Sequence, residues 1–396
     1  MKMNVLMILQ SDFPPDIRVE REANSLQKNG YHVSLLCDNR VERSRIDTYG
    51  GISIYRMRHF NGYAGRLHRF LNIPIYPNHL WMSALKRAIV TVKPSVLHVH
   101  DLPLAMVAIH FGRLYHLPVI LDLHEDYPAI LEQWYKKNIS GLTVRNPKLA
   151  RIFEIICLKL VNRIIVIGDE HKLKLIRSGI PGRKIHVVEN TPILNKYLNI
   201  RTDFRKKIVK NHSYNICYFG IINPERNLDL VIDSLPRIIN KINHVKLMII
   251  GDGPHLESLK KHAQKRSVEN YIDFFGWVDT NDAITIIQKC DVCIIPHLVN
   301  SAMNIGVPNK LFEYMAIGKP VVISNSISSS KIVKLTQCGE IYMENNAISF
   351  SEAIFKVFKS KIKYGQNGKN AIISKFNWEK TEIKLLSIYE GLINEQ

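Results

Sequence analysis

The sequence predicts an α/β chain of two doubly wound, parallel-sheet domains. Three observations predict it. Short apolar runs alternate with amphipathic stretches of helical spacing along nearly the whole chain. The alternation pauses in a polar, basic stretch at Thr191–Asn211 and restarts at Tyr214. The length, 396 residues, suits two domains. With 46% hydrophobic and 22% charged residues, the composition is globular and excludes a disordered or collagen-like chain. Six scattered cysteines, mostly in apolar runs, read as reduced thiols of a cytosolic protein. No apolar run approaches the roughly 18 residues of a membrane-spanning helix. Met1–Gln10 reads as a buried first strand, because Ser11 and Asp12 follow at once without a small-residue cleavage site.

The elements follow in order. Asn4–Gln10 is the first strand. Ile17–Asn29 spaces Val19, Ala23 and Leu26 as one helix face and stops at Gly30. Tyr31–Cys37, Val96–Val99, Val119–Leu123, Ile164–Ile167 and Lys184–Val188 are strands, separated by helical stretches such as Leu80–Val92 and His171–Ser178. After the break, the strands are Tyr214–Gly220, Lys246–Gly251, Tyr271–Phe275, Val292–Pro296 and Pro320–Ser324. The helices between them are Leu228–Ile239, Leu256–Arg266, Ala283–Lys289 and Lys310–Ile317. This spacing, with right-handed crossovers, gives two Rossmann-like layers. We expect domains at 1–200 and 201–375, with a helical tail at 376–396 that crosses back onto the first. Two such domains facing across a cleft bind ligands beyond the carboxyl ends of their strands.

The formal net charge is +19. The window from Thr48 to His100 contains no Asp or Glu but holds Arg56, Arg58, Arg66, Arg69, Lys86, Arg87 and Lys93. Phe60, Tyr63, Phe70, Tyr76 and Trp81 lie among them. Such a mixture suits an anionic membrane surface, a phosphate-rich acceptor or nucleic acid. The plainer alternative is a solvated loop with a few buried aromatics.

The most informative run is Val307 to Val322. Pro308 suits the first helical position, Gly318 the residue after the helix, and Leu311 and Met315 the core-facing side. The helix start at Asn309 suits a phosphate. Glu313, one turn on, can accept two hydrogen bonds from a ribose diol, or be an ordinary exposed glutamate. In Tyr218–Asn227 a strand ends at Gly220 and a short loop delivers Arg226 to a helix start. A guanidinium there can chelate a diphosphate; otherwise it is a surface arginine. Gly251 and Gly253 permit a tight turn and close approach to a ligand, although Leu256 stands where a dinucleotide fingerprint has its third glycine. His100 and His124 follow strands, with Asp101 and Glu125 beside them. Either histidine can bind a sugar hydroxyl or phosphate, move a proton, or be structural. Asp16 and Arg18 either orient an acceptor or form a helix cap and a surface ion pair. Arg21 and Glu22 read as a surface ion pair. No Asp-x-Asp is present, and Cys290-Asp-Val-Cys293 has no second pair, so it reads as core packing rather than zinc or redox chemistry.

These pieces resemble the retaining nucleotide-sugar glycosyltransferases of the GT-B fold, family four, over nearly the whole chain. The resemblance is most specific in Gly220–Arg226, Gly251-Asp-Gly-Pro254, Phe275-Gly-Trp-Val278 and the Pro-Asn-Lys run at 308–310. Ile221 replaces a frequent arginine. Glu313 matches the second glutamate of the E-x7-E motif, whose first falls on Ile305. The Pro14-Pro15 loop lacks the common glycine pair. The resemblance implies a donor site of Gly220, Arg226, Gly251, Trp277, Val278, Asn309, Lys310, Leu311 and Glu313, with Trp277 and Val278 by the nucleobase. It implies catalytic roles for His124, facing the transferred sugar, and Arg226. The acceptor side falls to Asp16, Arg18, His100, Asp101 and Glu125.

The expected function is metal-independent transfer of a sugar from a UDP- or GDP-sugar, with retained anomeric configuration. The acceptor is a glycan or a lipid-diphosphate-linked glycan in bacterial surface polysaccharide synthesis. No cofactor and no nucleic-acid partner are expected, and the location is cytoplasmic, peripheral at the inner face of the cell membrane. A sugar-nucleotide epimerase of the same fold is the alternative, and a nucleic-acid binder a remote third.

Overall fold

The computed structural model describes residues 3–63, 65–66, 78–137, 146–198 and 214–393. Arg69, Phe70 and Tyr76 of the basic window, and most of the polar stretch near 200, lie outside the described residues. Two compact units form: Met1–Glu189 with Glu382–Gln396, and Asn190–Thr381.

The first unit is built on an eight-stranded sheet. Its strands are β1 (Asn4–Leu9), β2 (His32–Cys37), β3 (Ile46–Tyr49), β4 (Ile52–Arg56), β5 (Val96–His100), β6 (Val119–Leu123), β7 (Arg163–Val166) and β8 (Ile185–Val187), in the order β3-β4-β2-β1-β5-β6-β7-β8. Every neighbouring pair is parallel except β3 with β4. β5 and β6 are buried along their whole length, as expected for strands covered on both faces. The β3–β4 hairpin is an element the periodicity passed over. Its turn is Gly50-Gly51, both with positive φ, the backbone a two-residue primed turn requires. The helix Ile17–Lys28 starts at Asp16, whose side chain accepts from the Arg18 and Val19 amides at 3.1 and 3.0 Å.

The second unit carries a six-stranded, all-parallel sheet. Its strands are β9 (Tyr214–Phe219), β10 (Val245–Ile250), β11 (Ile272–Gly276), β12 (Val292–Ile295), β13 (Val321–Ser324) and β14 (Gly339–Tyr342), in the order β11-β10-β9-β12-β13-β14. Cys290 and Cys293 are buried at and before β12, and all six cysteines are free and buried. The final helix, Trp378–Ile393, contributes residues from Glu382 onward to the first unit. There Glu382 accepts from Ser25 Oγ at 2.7 Å, and Lys384 pairs with Glu189 at 2.9 Å.

Strand order reverses direction between β1 and β5 in the first unit and between β9 and β12 in the second. Such switch points leave a crevice beyond the strand ends. Each unit places a charged cluster there.

Candidate active site

In the second unit β9 ends at Phe219, and Gly220 follows with φ of +138°. The neighbouring turn at Gly251 and Gly253 presses on this loop backbone to backbone. A Cβ on Gly251 would overlap the Gly220 carbonyl, and one on Gly253 that of Ile222. The close approach that these glycines permit joins the two loops. The contact is secured by Gly220 N donating to Ile250 O at 2.8 Å and Ile222 N to Asp252 O at 2.9 Å.

Lys310 reaches the same loop. A Cβ on Gly220 would overlap its Nζ, which lies 4.9 Å from the Tyr218 ring centre. Lys310 belongs to the helix Asn309–Ile317, which Pro308 precedes as N-cap rather than opening as first residue. The helix is anchored to β9 by Tyr314, whose hydroxyl accepts from Phe219 N at 3.1 Å. Leu311 and Met315 are fully buried in the core, so the Leu311 side chain packs rather than faces a ligand. Glu313 is half-buried, Asn309 and Trp277 are exposed, and Val278 is partly buried. Ile305, at the first position of the E-x7-E spacing, is buried.

Arg226 ends a short 3-10 turn, Pro224–Arg226, just before the helix Leu228–Ile239. Its Nη1 lies 3.1 and 3.2 Å from the two ring nitrogens of His297. Near-equal distances put the guanidinium against the ring face. His297 is 4% exposed and follows β12 across the switch point. Burial first, then Arg226 and Lys310, lower its pKa well below the usual histidine value, so the ring is neutral. Burial of the Lys310 ammonium, and then Arg226, bring that lysine down to about 7. Two cationic groups thus converge, and Glu313 is the carboxylate that acts on the lysine. The Arg226 Nε and Asn223 Oδ1 atoms are buried and unpartnered.

In the first unit the cluster centres on Asp122 of β6. Arg18 grips it with two bonds, Nε to Oδ2 and Nη2 to Oδ1, both 2.8 Å, and gives Nη1 to Val188 O at 3.0 Å. Its Nη2 also lies 3.1 Å from Glu22. Arg18 and Glu22 are buried, not a surface pair, and Arg18 has no nitrogen left to orient an acceptor. A buried ion pair joins Glu22 to Arg18. Asp16 is spent as a helix cap.

His124 Nε2 faces Asp122 at 3.2 Å and its Nδ1 faces Asp101 at 3.5 Å. Burial disfavours its charge, but Asp101 and Asp122 outweigh that and raise it to about 9. It is an imidazolium at neutral pH and cannot serve as a base. Asp101 also accepts from the His124 amide at 3.0 Å. Its φ of +65° with ψ of 161° is a conformation L residues rarely adopt, held here at about 1–3 kcal/mol of strain. His100 is fully buried, 3.4 Å from Asp122, and Glu125 is exposed next to His124. Burial, then Asp122, push the Glu22 carboxyl up to about 8. Glu22, His98, His100 and Asp122 gather donor atoms within 4.8 Å of one another. Arg18 already occupies both Asp122 oxygens, so the cluster's cation is a guanidinium.

Glu22, His98, Asp122 and His297 escaped the sequence reading as site residues. Two had a signal: Asp122 is the single charge in an apolar strand, and His98 shares a face with His100 at period two.

The chain's two halves match known families in the same order as the two units. Residues 17–191 match Glycosyltransferase Family 4, and residues 199–373 match Glycosyl transferases group 1. The chain belongs to the GT-B glycosyltransferases. This glycosyltransferase is 24% identical over 332 residues to the UDP-Gal:alpha-D-GlcNAc-diphosphoundecaprenol alpha-1,3-galactosyltransferase of Escherichia coli, across 81% of this chain and 82% of that one. It is also 24% identical over 286 residues to an uncharacterised glycosyltransferase of Methanocaldococcus jannaschii, across 70% of this chain and 67% of that one. Among solved structures, the fold is shared with sucrose-phosphate synthase from Thermosynechococcus elongatus (TM-score 0.80, 15% identity, all of both chains). It is shared too with Anabaena HepE in complex with UDP (TM-score 0.74, 13% identity, 98% of this chain and 100% of that one). Among the described residues, no helix is long and apolar enough to cross a membrane.

Proposed function

We propose that this glycosyltransferase moves a sugar from a nucleoside-diphosphate sugar to a glycan or lipid-diphosphate-linked acceptor, with retention of configuration and without a metal. The observation that carries the reading is the cation pair of Lys310 and Arg226 at the β9–β12 switch point. Two cationic groups packed against glycine backbone are stabilised when an anion arrives. A pyrophosphate fits that need, and the start of the helix at Asn309 adds its dipole. Glu313 then takes the ribose hydroxyls.

The chemistry follows from where charge develops. The bond between the sugar C1 and the β-phosphate oxygen breaks, and its electrons remain on the diphosphate. Lys310 and Arg226 stabilise that charge. The acceptor hydroxyl oxygen bonds to C1, and its proton passes to the departing phosphate on the same face. No enzyme base is needed, which agrees with both His124 nitrogens being held by carboxylates. In the first unit, His124, Asp101 and Glu125 supply a rigid polar wall for sugar hydroxyls.

The lipid part of the acceptor is supported by the relative that acts on a diphosphoundecaprenol substrate, and by the helix Pro147–Leu160. Leu149, Ile152, Ile156 and Leu160 are exposed along it, beside exposed Lys148 and Lys159. An apolar stripe flanked by lysines suits an anionic membrane surface. Of the basic window, Arg58, Arg66, Lys86, Arg87 and Lys93 are exposed, whereas Arg56 and Trp81 are buried.

Thermal-shift screening against UDP, GDP and their sugars tests the donor site, since a ligand selective for the folded chain raises its stability. Product analysis with donor alone then separates the two enzyme readings. A new nucleotide sugar would establish the epimerase. No turnover without acceptor, and a glycosidic product with it, supports transfer.

A further inference from the structure

The first unit's charged cluster extends to a residue outside the donor and acceptor sites. Tyr389 lies on the last helix, beyond the point where that helix joins the first unit. It is fully buried, and its hydroxyl is 2.6 Å from His98 Nδ1. Among the described residues this nitrogen is its hydrogen-bond partner. A buried phenol must place its proton, so the hydroxyl donates and His98 Nδ1 accepts. His98 is kept neutral by burial first and His100 next. A neutral ring with an accepting Nδ1 carries its proton on Nε2. That atom has no hydrogen-bond partner and lies 3.9 Å from Glu22 and 4.0 Å from Asp122. The His98 ring also lies tilted against His100 at 4.4 Å between centres, and His100 Nδ1 lies 3.1 Å from His124 Nε2.

We propose that Tyr389 is a positioning residue for the transfer site: by fixing the tautomer of His98, it keeps an N–H dipole on the Asp122 side of the cluster and so favours the ionised Asp122 carboxylate that Arg18 grips and His124 faces. The groups facing this centre are Arg18, Glu22, His98, His100, Asp101, Asp122 and His124, with Tyr31 against the far side of the Tyr389 ring at 5.6 Å. If Nε2 lost its proton to Nδ1, a lone pair would face two carboxylates. Asp122 would then bind a proton more readily and loosen its hold on Arg18 and His124. The role at transfer rests on the glycosyltransferase reading; the tautomer does not.

The histidine side-chain nitrogen spectrum of the wild-type protein is the first test. His98 is expected as the Nε2–H tautomer, and an Nδ1–H tautomer or an imidazolium at pH 7 would overturn the proposal, whatever reaction the protein catalyses. The second test is Tyr389→Phe, which keeps the ring and removes only the hydroxyl. Affinity for nucleoside diphosphate should be unchanged. Turnover should fall about tenfold, as for other partners that orient an imidazole, and the acid limb of the pH profile should move to higher pH. A loss of active fraction with the wild-type profile intact would reveal a structural residue and refute the positioning role.

Discussion

Lys310 makes the strongest single-residue prediction. Burial and Arg226 bring its pKa down to about 7, and a pyrophosphate beside it raises that value. Binding therefore takes up a proton above pH 7, and affinity falls as pH rises from there toward the ligand-bound pKa. Calorimetry in buffers of different ionisation heat should show uptake approaching about one proton per nucleotide near pH 8.5. No uptake at that pH would refute the assignment. Arg226→Ala should lower kcat by about 10²–10³, the range for a lost transition-state donor, with steady-state kinetics as the readout. Glu313→Ala should weaken nucleotide binding by about 1–3 kcal/mol, the loss of charged hydrogen bonds, measured by titration. Sequence singled out these three because their residue types sit at strand ends and helix starts. Glu22 read as surface because helical spacing alone does not say which strands cover a face. Here β5 and β6 bring His98 and Asp122 onto it. His297 carried no motif; only the β9–β12 neighbourhood makes it a partner of Arg226.

At the scale of elements, the two glycine loops of the second unit behave as one part. Gly251 has φ of +139° and no room for a side chain. Gly251→Ala should destabilise by more than about 2 kcal/mol, because strain and overlap add, and should weaken nucleotide binding as the Gly220 loop shifts. Equilibrium urea unfolding checks the first effect and titration the second. The strands of both sheets were legible because buried parallel strands are short, continuous apolar runs. The β3–β4 hairpin was not, because Ile46–Tyr49 is exposed throughout and lacks that signature. Its mark was the Gly50-Gly51 pair. The helix Pro147–Leu160 presents a different difficulty. Its apolar residues occupy a buried side and an exposed side, so periodicity does not separate core from surface.

For the whole molecule, the titrating groups give the two units opposite responses to pH. In the first unit, Glu22 rises from 4.5 to about 8 and His124 from 6.5 to about 9. Both contribute stability that is lost as pH climbs through the folded values. In the second, Lys310 falls from 10.5 to about 7, so its contribution improves as pH climbs from 7. Between pH 7 and 9 the first unit should unfold at lower urea and the second at higher urea, read separately by hydrogen exchange with mass spectrometry. Parallel shifts would contradict the assigned charge states. The order of the halves was legible from the pause near residue 200. The helical tail and its crossing back were legible in the sequence; the residues it meets were not, since the contacts of Glu382, Lys384 and Tyr389 are made with residues hundreds of positions earlier or nearly so. The most direct measurement for the whole account is a crystal structure with bound nucleoside diphosphate. The account predicts both phosphates within hydrogen-bond reach of Lys310 and Arg226, with the ribose on Glu313. A diphosphate bound away from the ends of β9 and β12 would contradict it.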